Sequence, residues 1–293
     1  MRFFSFAVYK TFAALFSILP FPLLYVISDF VCFVLFRIVG YRKKVVLANL
    51  QNSFPEKSAE EINVICKKFY RNLSDIAVET VKLSSMSKRE LEKRCAFKNL
   101  HIIENYYDKG KSVIATVGHC GNWEWGALSL SIHSKHKVIG AYAPLSNPYF
   151  NNYFKRTREK FGIIMVPMKE TVPFVLNYDK GLCLVGLIAD QAPNVHSTNN
   201  YRTIFLNQDS LVFTGAERLA MKTDNPVVYF KINRIKRGFY EVDIIDLFPN
   251  PSSTKEYEIT DKYIRTLEQQ IIETPDNWIW SHRRWKHKLN GEK

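Results

Sequence analysis

Apolar residues fill positions 12–39 almost without interruption, and this stretch is followed by the basic cluster Arg42-Lys43-Lys44. A helix that crosses a bilayer needs about 20 mostly apolar residues. The segment Leu23–Val39 approaches that length, although it contains one aspartate and one arginine. The basic cluster places its end on the cytoplasmic side if the segment spans the membrane. We therefore predict an apolar helical membrane anchor over residues 1–44. The alternative is a buried helical hairpin broken at Pro20-Phe21-Pro22.

Residues 45–95 show the apolar spacing of helices. Ser58 followed by Glu61 is typical of a capped helix start. A second helix is predicted over Lys88–Cys95. The apolar positions that recur at helical spacing after the predicted cap are Ile62, Ile65, Phe69, Leu73, Ile76 and Val81.

From about residue 97 onward, short runs rich in β-branched residues alternate with helical stretches. Nearly continuous apolar runs indicate strands that are buried on both faces, as in a largely parallel sheet. We therefore predict an α/β fold over residues 45–293, with a mixed, largely parallel sheet flanked by helices. The candidate strands are 112–117, 137–140, 163–166, 182–188 and 226–230.

The antiparallel part of the predicted sheet is a hairpin. The runs 228–232 and 239–245 flank Arg237-Gly238, which is a turn signal. We expect this hairpin at one edge of the sheet. A final amphipathic helix is predicted over Tyr257–Ile272.

Charge and cysteine usage narrow the classes of partner and of site. The 293 residues carry 41 Lys and Arg against 28 Asp and Glu, for a net charge of +13. Such an excess favours an anionic partner, which could be a nucleic acid, an anionic membrane surface or a phosphorylated substrate. The five cysteines form no C-x-x-C pair, so we predict free thiols in a reducing compartment and no zinc site.

The stretch Gly118–Glu124, which reads Gly-His-Cys-Gly-Asn-Trp-Glu, is the strongest candidate for chemistry. A buried strand runs into it, and Asn122 is a good N-cap for a following helix. On one straight helix, His119 and Glu124 would lie about 140° apart. A turn at Gly121 between them allows the two side chains to meet at the carboxyl edge of the sheet, where ligands of α/β proteins gather.

His119 and Glu124 have side chains suited to acid–base catalysis. A neutral imidazole can accept a proton from an alcohol. A carboxylate on its other nitrogen would fix the tautomer and stabilise the imidazolium, and we assign that role to Glu124. The plainer interpretation is a histidine at a strand end and a carboxylate in a first helical turn.

Several motifs in the same order resemble the lipid A biosynthesis acyltransferase family, which includes lauroyl and myristoyl transferases, within the wider glycerolipid acyltransferase group. Asn49–Glu56 is similar to the family's Asn-Leu-x-x-x-Phe-Pro-Glu, and Pro275–Lys286 is similar to its Trp-x-His-Arg-Arg-Phe-Lys ending. The other segments that carry the resemblance are 118–124, 142–148 and 189–191.

This resemblance implies an acyltransferase domain over residues 45–293 with His119 and Glu124 as its catalytic dyad. It implies transfer of a fatty-acyl chain from an acyl carrier protein or coenzyme A thioester to a hydroxyl of a lipid A precursor or related glycolipid. A lysophospholipid or an aminolipid is the alternative acceptor. No bound cofactor and no metal are implied, and the expected location is the cytoplasmic face of the bacterial inner membrane.

The resemblance also implies substrate-binding residues. Arg158, with Arg156 as its competitor, is the candidate for binding substrate phosphate or phosphopantetheine, and the alternative is a solvated basic helix face. Asp190 and Gln191 follow a buried strand, and Asp190 could hold Arg158 or orient the acceptor, or it could cap a turn with Gln191. Asn122 is a further candidate contact. Where the family has an arginine this chain has Ala143, so Arg156 or Arg158 must carry more of the anion binding.

Two classes of noncatalytic protein compete with this interpretation. The basic C-terminal segment 282–288, with Trp278, Trp280 and Trp285, suits a membrane interface with anionic headgroups or an RNA, and the alternative is a C-terminal helix that packs these tryptophans into the core. No helix-turn-helix, zinc or RRM pattern occurs in the sequence, so we predict no nucleic-acid partner. No G-x-S-x-G motif of a serine hydrolase occurs either. A noncatalytic membrane scaffold remains as an alternative.

Overall fold

The chain begins with helices and continues as alternating strands and helices. The structure is a computed structural model, and it describes residues 2–193 and 200–286. Val34–Ile38 prolongs the second helix as a π-helix. The helices are α1 (Arg2–Ile18), α2 (Phe21–Phe33), α3 (Lys43–Ser53), α4 (Ala59–Lys82), α5 (Lys88–Arg94), α6 (His101–Asp108), α7 (Trp123–His133), α8 (Pro148–Glu159), α9 (Thr171–Leu176), α10 (Gly215–Thr223) and α11 (Glu258–Glu273).

Seven strands form one sheet, in the order β1-β9-β8-β2-β5-β3-β4. All neighbours in it are parallel except β8 and β9, which confirms the predicted mixed, largely parallel sheet. The central strand β2 is buried along its whole length, as its continuous apolar sequence predicts. The strands are β1 (Cys95–Lys98), β2 (Val113–Val117), β3 (Lys137–Tyr142), β4 (Ile164–Pro167), β5 (Cys183–Ile188), β6 (Asn200–Phe205), β7 (Gln208–Phe213), β8 (Val227–Lys236) and β9 (Phe239–Phe248).

The predicted hairpin forms from β8 and β9, but its predicted position at the sheet edge is wrong. β8 pairs with β2 on its other side, and β9 pairs with β1, which is the edge strand. The predicted helix over Lys88–Cys95 ends at Arg94, and Cys95 begins β1. With four residues, of which one is fully buried, β1 is too short to show a periodic pattern.

A second antiparallel pair, β6 and β7, lies outside the main sheet and was not predicted. Its turn residues Leu206 and Asn207 have φ of 50° and 60°. Positive φ at both central residues is typical of a tight hairpin turn, which is normally signalled by Asn-Gly or Asp-Gly. The Leu-Asn pair gives no such signal.

The N-terminal apolar stretch divides into two helices between Ile18 and Phe21, near the break of the alternative interpretation, but few of its residues are buried, so it is not the buried hairpin of that alternative. Phe21–Ile38 is long and apolar enough to cross a membrane by length and composition, and about a fifth of it is buried in the protein. Leu23, Val26 and Phe30 are exposed on its outer face. Leu24 on its inner face is fully buried in the same apolar cluster as the first turn of α7.

Two polar residues of α2, Asp29 and Ser28, have partners in the rest of the protein. Asp29 accepts hydrogen bonds from Arg237 at the β8–β9 turn, and Arg237 also donates to Asp75 on α4 at 2.6 Å. Ser28 donates to Asp75 as well, at 2.6 Å. One side of α2 is therefore fixed to the α/β domain, while the division at residue 44 into anchor and catalytic domain stays a prediction.

Candidate active site

The loop after β2 brings His119 to the carboxyl edge of the sheet. At Gly118, which precedes His119, a Cβ atom would lie 2.5 Å from Leu267 Cδ1, so a side chain at this position would require the Leu267 side chain to move. Gly121 has φ of +55° and its N–H donates to the carbonyl of Asn277 at 3.0 Å. The predicted turn at Gly121 is thus confirmed, and it allows α7 to begin close to His119.

Asn122 caps α7, as its sequence position predicts. Its Oδ1 accepts a hydrogen bond from the N–H of Trp125 at 3.0 Å, and its Nδ2 donates to Glu79 at 2.8 Å. Glu79 also accepts from Tyr25 at 2.8 Å and from Tyr240 at 2.7 Å. Burial raises the pKa of Glu79, and these hydrogen bonds offset part of the rise. Asn122 is fully buried, and its side chain joins the loop to α4 and α7, while its predicted contact with substrate stays a prediction.

Asp190 is the carboxylate that contacts the imidazole. Its Oδ1 lies 2.5 Å from His119 Nδ1, and its Oδ2 accepts hydrogen bonds at 2.8 Å from both the backbone N–H of His119 and the indole N–H of Trp278. β5, which precedes Asp190, is the parallel neighbour of β2, so the two residues emerge at the same sheet edge. One expectation, that Asp190 holds Arg158, is wrong, because Arg158 pairs with Glu124. The predicted contact between Glu124 and the imidazole is also wrong, because Asp190 makes that contact.

The pair formed by His119 and Asp190 is polarised. Burial alone would lower the pKa of His119, but the charge of Asp190 and its hydrogen bond outweigh burial and raise it. Burial works against ionisation of Asp190 as well, yet the imidazole and the surrounding N–H donors lower its pKa to about 2. An ionised carboxylate can only accept, so Nδ1 carries the hydrogen and Nε2 is free to accept a proton.

Gln191 is the residue next to that free nitrogen. Its Nε2 lies 3.4 Å from His119 Nε2, a long contact. The ring of Trp123 closes another side of the imidazole, edge to face at 4.9 Å between ring centroids. Gln191 was among the predicted site residues and Trp123 was not, although Trp123 stands within the Gly118–Glu124 motif.

Glu124 lies in the first turn of α7, as predicted, and is paired with Arg158 of α8. Arg158 Nε donates to Oε2 at 2.8 Å and Nη2 donates to Oε1 at 2.5 Å, in the two-pronged geometry typical of arginine and carboxylate. The negative charge of Glu124 contributes to raising the pKa of His119 without a hydrogen bond between them. Arg156 lies about 200° around α8 from Arg158 and lines a groove against α1.

The tryptophans near the C-terminus serve the site and the core. Trp278 and Trp280 are almost completely buried, and Trp278 holds Asp190. Their predicted role at a membrane interface is therefore wrong. Arg284 is buried beside them, where burial lowers its pKa to about 10. His287 and Lys288 of the basic segment lie outside the described residues.

A resident metal is not indicated by the side chains. Among residues 2–193 and 200–286, no group of three or more His, Cys, Asp or Glu side chains could hold a metal ion. The five cysteines are free thiols, four of them buried. The chemistry available at His119 is proton transfer at a desolvated imidazole whose other nitrogen is held by a carboxylate.

Comparison with known proteins relates this site to a family. A 24% identity over 255 residues relates the chain to the "Lipid A biosynthesis acyltransferase" of Haemophilus influenzae, covering 83% of this chain and 76% of that one. A 22% identity over 275 residues relates it to the "Lipid A biosynthesis lauroyltransferase" of Escherichia coli, covering 93% and 88%. The family model described as "Bacterial lipid A biosynthesis acyltransferase" matches residues 2–287. Because this match spans nearly the whole sequence, the chain belongs to the bacterial lipid A biosynthesis acyltransferase family.

Proposed function

We propose that this protein transfers a fatty-acyl chain from an acyl carrier protein or coenzyme A thioester to a hydroxyl of a lipid A precursor or related glycolipid. The observation that carries the proposal is the hydrogen bond between His119 and Asp190, which leaves Nε2 of the imidazole as a proton acceptor. Family membership supports the acyl group and the class of acceptor.

In the proposed reaction the acceptor hydroxyl takes the position next to His119 Nε2 that Gln191 approaches in the free protein. As the hydroxyl oxygen attacks the thioester carbonyl, Nε2 takes its proton. The tetrahedral intermediate then collapses, the C–S bond breaks, and the imidazolium returns the proton to the leaving thiolate. The thioester supplies the activation, so no covalent enzyme intermediate and no bound cofactor are needed. Asp190 stabilises the imidazolium during the step.

We assign Glu124 to the reaction through Arg158. The ion pair leaves Arg158 with N–H groups that are not used by Glu124, and the side chain is partly exposed. These N–H groups are suited to hold the oxyanion of the intermediate or a phosphate of the substrate, and Glu124 fixes their direction. Glu124 is thus a positioning residue in this proposal.

The membrane and the carrier are the proposed partners. α2 would attach the protein to the cytoplasmic face of the bacterial inner membrane, with its exposed side chains in lipid. The net charge of +13 would attract an acidic acyl carrier protein, the phosphates of coenzyme A, or an anionic membrane surface. We propose no nucleic-acid partner.

Lipid mass spectrometry of cells that lack the protein tests this function. Complementation with wild type and with His101→Ala, an exposed histidine far from the site, should restore one acyl chain to one lipid class. His119→Ala should not restore it, because the loss of a general base costs about 100- to 10,000-fold in rate.

Arg158→Lys and Glu124→Gln should restore the lipid only in part, because the two-pronged contact is lost. Restoration to the wild-type level by His119→Ala would contradict the proposal and would favour a noncatalytic scaffold. If the lipid class that loses an acyl chain is not a glycolipid, the proposed acyl transfer would stand and the proposed acceptor would be wrong.

A further inference from the structure

A groove between α1 and α8 lies apart from the His119 site. It has a volume of about 540 Å³, which is within the range of small-molecule sites. None of the residues that line it belongs to the site described above. Its lining residues are Phe6, Lys10, Ser84, Tyr149, Asn152, Tyr153, Arg156, Thr157 and Lys160.

The charges in this groove are all positive. Lys10, Arg156 and Lys160 line it, and no acidic residue does. Lys160 is held in place by donating to the carbonyls of Ser84 at 3.1 Å and Met86 at 2.6 Å. In the part of the chain that the structure describes, the side chains of Lys10 and Arg156 form no hydrogen bond or ion pair. Two cations that have no partner among the described residues therefore line the same space.

The walls of the groove are aromatic, and its surroundings are apolar. The ring of Phe6 packs on those of Tyr149 and Tyr153 at 5.8 and 6.0 Å between centroids. Phe3, whose ring packs on that of Tyr149 at 5.4 Å between centroids, is 63% exposed, and it lies at the edge of an exposed apolar face of α1 that includes Phe4 and Ile18. An exposed apolar surface of this extent marks a contact with lipid or protein.

We infer that this groove binds the phosphate headgroup of an anionic phospholipid, with the acyl chains of that lipid along the exposed face of α1. Cations alone would suit any phosphate, but the adjoining apolar face favours an amphiphile over a soluble anion. The inference rests on the proposed attachment to a membrane and adds a discrete lipid site to it. It also gives Arg156 a role that differs from that of Arg158.

Vesicle binding of the full-length protein tests the inference. The probes are vesicles of phosphatidylcholine alone and of phosphatidylcholine mixed with phosphatidylglycerol. The test variant is Lys10→Gln with Arg156→Gln. The matched control is Lys109→Gln with Lys180→Gln, two exposed lysines that precede β2 and β5 at the opposite edge of the sheet. Both double variants remove two positive charges, and thermal melting checks that both fold.

We expect the groove variant to bind the anionic vesicles about 30-fold more weakly than wild type. Each of the two cations next to an anionic lipid should strengthen binding about fivefold, and the variant loses both. The control variant should stay within about twofold of wild type, given the screening of distant charges. Binding to phosphatidylcholine vesicles should be the same for all three proteins. Equal losses in both variants would overturn the inference in favour of diffuse charge attraction, and so would a groove variant that binds like wild type.

A competition arm separates a lipid from a free anion. Inorganic phosphate in excess, at ionic strength held constant with sodium chloride, should not displace the protein from the anionic vesicles. Displacement would mean that the groove takes soluble phosphate and would overturn the lipid assignment. The binding readout needs no turnover. If the protein binds vesicles as expected but transfers no acyl chain, the proposed function would be contradicted and the inferred lipid site would stand.

Discussion

Two carboxylates lie near His119, and their surroundings separate their roles. Asp190 has a fully buried side chain and contacts the imidazole directly, whereas the Glu124 side chain is 15% exposed and is neutralised by Arg158. A buried carboxylate that accepts from the imidazole and from two other N–H groups stays ionised, since those donors favour its charged form. The contact with Asp190 at Nδ1 therefore leaves Nε2 as the nitrogen of His119 that can accept a proton.

Asp190→Asn should move the pH dependence of acyl transfer to lower pH and reduce its maximal rate. Neutral His119 is the proposed base, so activity is present above its pKa and is lost as pH falls through it. In the wild type this pKa is raised above its ordinary value of 6.5 by the charge of Asp190 and its hydrogen bond, which outweigh burial. Asparagine removes that charge, so the acid limb should shift downward. A kcat–pH profile measures this.

The control for that profile is Asp179→Asn, which changes an exposed aspartate that precedes β5. Its acid limb should coincide with that of the wild type. An acid limb that is unchanged in Asp190→Asn would show that Asp190 does not set the pKa of the catalytic base.

At the scale of elements, Glu79 of α4 joins three parts of the fold. Its carboxylate accepts from Tyr25 of α2, from Asn122 at the start of α7, and from Tyr240 of β9. The same asparagine caps the helix that carries Glu124, so the apolar N-terminal helix and the active-site loop share one buried hydrogen-bond network. Removing the central acceptor would leave three donors without a partner.

Glu79→Leu should destabilise the protein by several kcal/mol, because each buried donor left unsatisfied costs about 1–3 kcal/mol. Glu79→Gln should cost far less at pH 7, because the amide keeps an acceptor and carries no charge. The pKa of Glu79 is raised by burial, so its contribution to stability is present below its ordinary value of 4.5 and is lost as pH rises through the raised value.

Thermal unfolding in detergent at several pH values compares the wild type with both variants. The stability difference between Glu79→Gln and wild type should shift in favour of the glutamine as pH rises. Equal stability of Glu79→Leu and wild type would contradict a role for the network.

At the scale of the whole molecule, the two N-terminal helices present an apolar outer face and a fixed inner face. Leu24 packs in the core, and Arg237 ties Asp29 to the β8–β9 turn. Val26 and Phe30, on the outer side of α2, are 65% and 66% exposed. This arrangement would hold the sheet edge with His119 in a constant relation to the membrane surface.

Replacing both Val26 and Phe30 with lysine should release the protein from membranes, because each charge near the centre of the apolar segment costs about 2.5–3.5 kcal/mol in lipid. Ile272→Lys, which changes an exposed apolar residue of α11, should leave the protein in the membrane fraction. Fractionation by ultracentrifugation measures both. If the variant with lysine at positions 26 and 30 stays in the membrane fraction, α2 is not the segment that attaches the protein to the membrane.

Much of the fold could be predicted because its signals are local. The strands β2, β3, β4, β5 and β8 are continuous apolar runs, and Ser58 caps α4 in the predicted way. Local signals were absent at β1, which is too short, and at the β6–β7 turn, which lacks glycine. The predicted lipid A biosynthesis acyltransferase family is confirmed, because several motifs in order are more specific than any single one.

Local patterns of residues were enough to predict the class of fold, the family, the strand–turn–helix that presents His119, and the edge of the sheet at which Asp190 lies. They were not enough to predict that Asp190 contacts His119 and that Glu124 contacts Arg158. Asp190 stands 71 residues from His119, and their contact depends on the parallel pairing of β2 and β5. Helix geometry separates the directions of Arg156 and Arg158, but the neighbours that each one meets depend on how α8 lies beside α1 and α7. Such pairings are set by the register of strands and the rotation of helices, which no local pattern of residues encodes.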